Sequence, residues 1–391
     1  PRTRVEFYKG TPHREAFAKA HAALDQTLDA MLASDLYDPL DGAFFRATLT
    51  EDWRAFVPEK PLAINALLAL TLLESGRRAE AVRTLDFLLS ACFAPGGALN
   101  PCLTYDRESC TFTPEQVCAA LGGEDGLRVC RLLGLRRQHT GLPPKVTPSR
   151  FSPVEDSPEA DLPRTPTLPR SLTPEDAAFL RRVMPQLQRV RAARTPPTPA
   201  PCILSEDCAL AAAVFALCGR RLGESRYIQA AQRAVGYLAA LSPALPPSYS
   251  PVSALNAQLT CGAGAALALA LLTLGQAEEL HTYRESGLRL LGAALHAFTT
   301  PDGLPMHTPQ DAAAFFPRIP AVWDSELPSP AALLLHALAL ADACRPQAGY
   351  KDAALVLWQA AAPYARQQPL ACAGLIDAAH FTLSESREAP A

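Results

Sequence analysis

The side chains that could do chemistry in this chain are few and scattered. Asp324 and Glu326, in D-S-E-L-P-S-P, could form an acid pair for proton transfer. They are equally suited to the first turn of a helix beginning near Ser329, where the helix dipole favours carboxylates. Glu59 beside Lys60 could contribute polar groups to a cleft, or form a solvated charge pair. Trp53 could stack on a sugar ring or pack in the interior. His336 lies within A-L-L-L-H-A-L-A-L and reads as a core histidine. Cys102, Cys110 and Cys118 are evenly spaced with His139 downstream, but zinc sites usually pair ligands two to four residues apart, so no metal and no cofactor are expected. The sequence contains no G-x-S-x-G, H-E-x-x-H or Walker pattern.

The elements that must position these residues are helical. Tyr227, Ala231, Ala234 and Leu238 recur at three- and four-residue steps, as on one helix face. Helix–turn–helix layouts are expected at 62 to 93 around Ser75-Gly76, at 206 to 238 around Gly223, at 254 to 298 around Gly275 and at 329 to 366 around Pro346 to Gly349. Recurring hairpins with short turns indicate an α/α solenoid or closed ring. The best strand signal is G-A-F-F-R-A-T at 42 to 48. The chain is read as a single domain over 1 to 391, interrupted by a Pro-rich irregular connection at about 143 to 172. Thr173 followed by Pro174, Glu175 and Asp176 starts a helix that runs to about Arg194.

Composition narrows the partners. Among 391 residues, 36 Lys and Arg balance 39 Asp and Glu, for a formal charge of −3. A nucleic-acid binder needs a basic face to displace counterions, so none is expected as a partner. The apolar stretch 261 to 275 is too short for the roughly 20 residues that span a bilayer and reads as a core helix, so no membrane is expected either. The first residues show no apolar signal region, and they lack an initiator Met, which leaves room for a longer parent protein. The eleven Cys are odd in number and mostly sit in Ala/Leu-rich helices, which suits reduced thiols and a cytoplasmic location.

Residues 27 to 66 resemble the helical part of the YyaL-like, thioredoxin-domain-containing family, which includes spermatogenesis-associated protein 20. Gly42, Phe44, Phe45, Arg46 and Trp53 match its G-G-F-F-R-Y-S-T-D-E-x-W pattern. Glu59, Lys60, Leu62, Asn65 and Ala66 match its H-F-E-K-M-L-Y-D-N-A. T-F-T-P-E-Q-V at 111 to 117, L-G-E-S-R-Y-I-Q-A-A at 222 to 231 and D-S-E-L-P-S-P at 324 to 330 resemble further family segments in order. The resemblance implies an all-α fold, an (α/α)6 six-hairpin glycosidase-like toroid with short peripheral strands. It implies a central cleft carrying Glu59, Lys60, Asn65 and Asp324, with Trp53 near the rim. The thioredoxin-like domain of the family has no counterpart here, so no thiol redox role carries over.

Where the family has ionisable groups, this chain has Val57, Ile64, Ala200 and Cys261. Such side chains cannot exchange protons or clamp a hydroxyl. The reading is therefore a degenerate toroid with a binding or assembly role, taking a sugar-like small molecule or a protein partner. The alternative is a carbohydrate-active enzyme, an epimerase, isomerase or hydrolase, with a remodelled cleft in which Glu59 and Asp324 are the catalytic candidates. Whether the chain is an enzyme is left open.

Overall fold

A computed structural model describes residues 14–135, 164–169, 171–240, 248–249, 260–277, 281–310 and 318–383. Most of the Pro-rich stretch from 143 to 172 lies outside these residues, as does His139. The part within them, 164–169 and 171–172, contains no helix.

The described residues form fourteen α-helices and a few strands of two or three residues. The helices are α1 (Arg14–Leu32), α2 (Leu62–Glu74), α3 (Arg78–Ala91), α4 (Arg107–Cys110), α5 (Pro114–Leu121), α6 (Gly123–Leu132) and α7 (Pro174–Ala192). They continue as α8 (Ser205–Leu222), α9 (Ser225–Ala240), α10 (Cys261–Ala277), α11 (His281–Phe298), α12 (Pro330–Cys344), α13 (Tyr350–Gln367) and α14 (Ala373–Leu383). The all-α class expected from the apolar spacing is what the chain adopts. No described helix is long and apolar enough to cross a membrane. No two of the eleven cysteines are joined in a disulfide.

The starts and stops follow local chemistry. Thr173 caps α7 by accepting from Asp176 N, with Pro174 in the first turn. Thr113 and Gln116 close a capping box on α5. Gly223 ends α8 in the left-handed conformation, at φ 70°. One turn falls elsewhere than expected. Gly275 lies inside α10, which runs on to Ala277, and α11 starts at His281. The missing side chain serves packing instead, since a Cβ at 275 would lie 3.0 Å from the Arg284 backbone nitrogen.

The chain divides into two compact units. Unit 1 comprises residues 1–60, 74–84 and 103–198. Its apolar core joins α5, α6 and α7 through Phe112, Val117, Val129, Phe179, Val183 and Leu187. Beside that core, β1 (Tyr37–Asp38) pairs antiparallel with β2 (Ala43–Phe44), where the sequence signalled a strand.

Four charges are packed together inside unit 1. Lys60 Nζ donates to Asp38 Oδ2 at 2.7 Å and to Asp41 Oδ2 at 2.6 Å. Arg191 Nη1 donates to the same Asp38 oxygen at 2.6 Å. Lys60 is 0% exposed, and its ammonium lies 4.5 Å from the Tyr105 ring centre and 4.8 Å from that of Phe45. Burial alone would raise the Asp38 pKa. The charges of Arg191 and Lys60, then their hydrogen bonds, overcome it and hold the carboxyl well below the usual range. Burial likewise opposes the charge on Lys60, and Asp38 and Asp41 raise its pKa above the ordinary lysine value.

Unit 2 comprises residues 61–73, 85–102 and 199–391. Its helices lie in two layers: α8 packs on α10, α10 on α12 and α12 on α14, while α9, α11 and α13 pack outside them. The inner helices are apolar nearly all round, as a helix covered on every side must be.

The four-charge cluster generates a stability prediction. Lys60→Met should lower the unfolding free energy by about 3–5 kcal/mol, because two carboxylates are left with one cation between them. Equilibrium urea unfolding measures it. The depressed Asp38 pKa adds stability above the ordinary aspartate value near 4, and that stability is lost as pH falls below it. The raised Lys60 pKa adds stability that persists through neutral pH and is lost only at strongly alkaline pH. Urea midpoints of the wild type should therefore fall on acidification, and those of Lys60→Met should fall less.

Candidate functional site

The helix starts of unit 2 are gathered at one end, and the connections can be followed bond by bond. Leu62 N, opening α2, donates to Pro101 O at 2.9 Å. The neighbouring Leu99 backbone hydrogen-bonds the Cys208 thiol in the first turn of α8. Glu206, the second residue of α8, lays its carboxylate on Gly262, the second residue of α10. Cys261 N donates to His307 O at 3.2 Å, and His307 N to Ile319 O at 3.0 Å. Ala331 N, at the start of α12, donates to Ala321 O at 3.0 Å. Asp324 then spans α12 and α14: Oδ1 accepts from Ser329 N at 2.8 Å, and Oδ2 from Gly374 N at 2.6 Å.

Five helix N-termini thus share one end of the unit. Leu62, Cys261, Ala331 and Gly374 already spend their N–H groups within the chain, and the aligned peptide dipoles of the five helices make this end attractive to anions and to hydroxyl oxygens. Glu206 has no ion pair among the described residues. Burial, followed by the charge of Asp207, pushes its pKa up to about 7. At neutral pH it divides between donor and acceptor forms. Among the described residues it hydrogen-bonds to no imidazole and no second carboxylate. Burial also pushes the Cys208 thiol up to about 12, and that of Cys261 higher still with the Glu206 charge adding to it, so both are protonated thiols at neutral pH. His307 is held below the ordinary histidine pKa by burial.

The residues that the sequence singled out take varied places. Asn65 belongs to unit 2, is buried, and donates from Nδ2 to Pro61 O at 2.8 Å. Asp324 belongs to unit 2 and has both oxygens on backbone N–H groups, with Ser329 as the N-cap of α12. Its carboxylate does the work of a cap, although from outside the first turn. Cys261 stands at the gathered helix starts as an unionised thiol.

Glu59, Lys60 and Trp53 belong to unit 1. Glu59 Oε2 accepts from Arg46 Nε at 2.6 Å on a half-exposed surface. Lys60 does not pair with Glu59, and it is not at the mouth of a cleft. Its ammonium is sealed among Asp38, Asp41, Tyr105 and Phe45, which leaves it no face for a ligand. Trp53 is half-buried in a cleft of its own, described below. Among the described residues, no three His, Cys, Asp or Glu side chains come together as metal ligands would.

Glu206 escaped sequence reasoning because S-E-D at 205 to 207 reads as ordinary first-turn acids. The available signal was Gly262 in an otherwise Ala/Leu-rich helix start. Without a Cβ there, a neighbouring carboxylate can lie on the backbone. Asp38, Asp41 and Arg191 also escaped it, since pairing across as many as 153 residues leaves no local trace.

No family model matches the chain, and no curated protein matches it. Solved structures similar to it include a D-mannose isomerase, at 13% identity and TM-score 0.41, over 90% of this chain and 88% of that one. Another is a family 105 glycoside hydrolase of C. acetobutylicum ATCC 824, at 10% identity and TM-score 0.35, over 76% of each chain.

The Glu206 environment sets a pH dependence. Its pKa rises from an ordinary 4.5 to about 7 on folding, so the folded state holds a proton that the unfolded state releases. Stability contributed this way is complete below pH 4.5 and is lost as pH climbs through 7. Glu206→Gln should remove that decline. The variant should exceed the wild type above pH 7 by on the order of 2 kcal/mol, allowing for partial solvation. Urea titrations at pH 5 and pH 8 check the difference. Gly262→Ala should turn the carboxylate outward and return its pKa toward 4.5, as read by carboxyl carbon NMR.

Proposed function

We propose that this chain is a degenerate, non-catalytic α/α-toroid protein that binds a small polar ligand or a protein partner at the gathered helix starts of unit 2. The supporting observation is Asp324. It is one of two acids, with Glu59, retained from the pattern of the YyaL-like family that the sequence resembles, and both its oxygens are engaged by the backbone of two helix starts. Hydrolysis or isomerisation requires two groups that trade protons across the substrate. Asn65 is likewise bound to backbone, and Cys261 is a protonated thiol. The aligned dipoles of five helix N-termini favour oxygen-rich groups at this end without turnover.

A second reading rests on Glu206. A carboxyl that titrates near neutrality is what general acid–base catalysis uses, and a carbohydrate isomerase or hydrolase could employ it with a water or with the substrate's own hydroxyls.

Turnover assays on a panel of mono- and disaccharides separate the two. The non-catalytic reading expects no conversion above the uncatalysed rate by the wild type. Conversion that drops at least a hundredfold in Glu206→Gln, with folding intact by circular dichroism, would establish the second reading. Glu59→Gln serves as the control, because Glu59 is paired with Arg46 in unit 1.

A further inference from the structure

Unit 1 contains a cleft of about 520 Å³ between the C-terminal end of α1, the turn 51–54, the C-terminal end of α6 and residues 167–169. Trp53 lines it, with Glu51, Asp52 and Arg131 around it. The small side chains Ala33 and Ser34 and the bare backbone of Gly134 leave the space open.

The backbone of Trp53 is in the left-handed region, at φ 60°, and Ala55 follows at φ 58°. Large side chains avoid this region, which Gly or Asn would occupy with less strain. The turn is held in that shape from both sides. Trp53 N donates to Thr50 O at 3.0 Å, and Trp53 O accepts from Asp35 N at 3.1 Å. Thr50 Oγ1 donates to Arg54 O and accepts from Arg54 N, both at 2.9 Å. Asp35 accepts from Arg54 Nη1 at 2.9 Å and from Ala55 N at 3.1 Å.

A strained, over-determined backbone thus presents an indole to a cleft. Among the described residues the indole makes no ring contact and its N–H has no acceptor. Packing alone does not account for the strain, because the side chain stays half-exposed. Glu51, Asp52 and Arg131 are exposed and form no ion pair or side-chain hydrogen bond among the described residues. Arg54, which also lines the cleft, is neutralised by Asp35.

We propose that this cleft binds a neutral saccharide, with one ring face stacked on Trp53 and hydroxyls bonded to Glu51, Asp52 and Arg131. An indole suits the C–H face of a sugar ring, and carboxylates and a guanidinium bond vicinal hydroxyls with directional geometry. The mixed signs of the lining disfavour a ligand with a net charge of either sign. The inference concerns unit 1 alone and stands whether or not unit 2 turns anything over.

Isothermal titration of the full chain with glucose, mannose, N-acetylglucosamine, maltose and cellobiose tests it, with choline and glucose 6-phosphate as charged probes. At least one neutral saccharide should bind saturably. Trp53→Asn should weaken that affinity at least tenfold while the melting temperature stays equal or rises, because the strain is relieved. Trp53→Phe should retain part of the affinity, and the double variant Glu51→Gln with Asp52→Asn should weaken it at least threefold. The proposal is overturned if no neutral saccharide binds, if only a charged probe binds, or if Trp53→Asn binds as well as the wild type. A melting temperature that falls in Trp53→Asn with no saccharide binding by the wild type would show that the indole serves packing.

Discussion

Burying four charges together is the constraint on which unit 1 depends. Asp38 and the partly exposed Asp41 share one turn, while Lys60 and Arg191 come from 22 and 153 residues beyond Asp38, and no buried member can be withdrawn from water alone. Each therefore forces the others into place. Asp38 fixes β1, Lys60 fixes the strand Glu59–Pro61, and Arg191 fixes the last turn of α7. Gly42 follows directly, at φ 81° and close against Arg83, so that the chain can turn between Asp41 and β2. Thr84 then accepts the geometry by donating to Gly42 O at 2.6 Å.

Unit 2 is organised by close approach rather than by charge. Ala and Gly along α8 and α10 let the inner helices pack tightly, and the apolar faces of α12 and α14 extend the layer. Backbone groups at the helix starts are then satisfied by short extended segments and by Asp324. The same geometry leaves Glu206 on a bare glycine with no cation, and that placement sets its neutral-range titration. A capping acid and a titrating acid thus stand at the same end of the unit. Their different roles come from their surroundings: two backbone N–H groups for one, burial against a bare glycine beside the charge of Asp207 for the other.

Much of the local structure was legible in the sequence. Thr173-Pro174 and Gly223 marked helix ends that the chain uses, because caps and left-handed glycines act within a few residues. The apolar spacing of α9 and the uniform apolarity of 261 to 275 gave their burial correctly. Gly275 misled for a physical reason: a glycine that ends a helix and one that admits a neighbouring backbone look alike without the neighbour. The adjacency of Glu59 and Lys60 misled for another, since alternate residues of an extended strand face opposite ways, one to Arg46 and one to Asp38.

The sequence by itself determined the helical class and most helix boundaries, because these depend on residue type and on spacing within a turn or two. Only the tertiary structure decided which charges are sealed and which are free. Lys60 became an interior cation, Asp324 a double cap, Glu206 a neutral-range acid and Trp53 a strained indole over a cleft. Each outcome depends on atoms contributed from elsewhere in the chain, and the solvation and partners of a polar group are properties of that assembled surrounding.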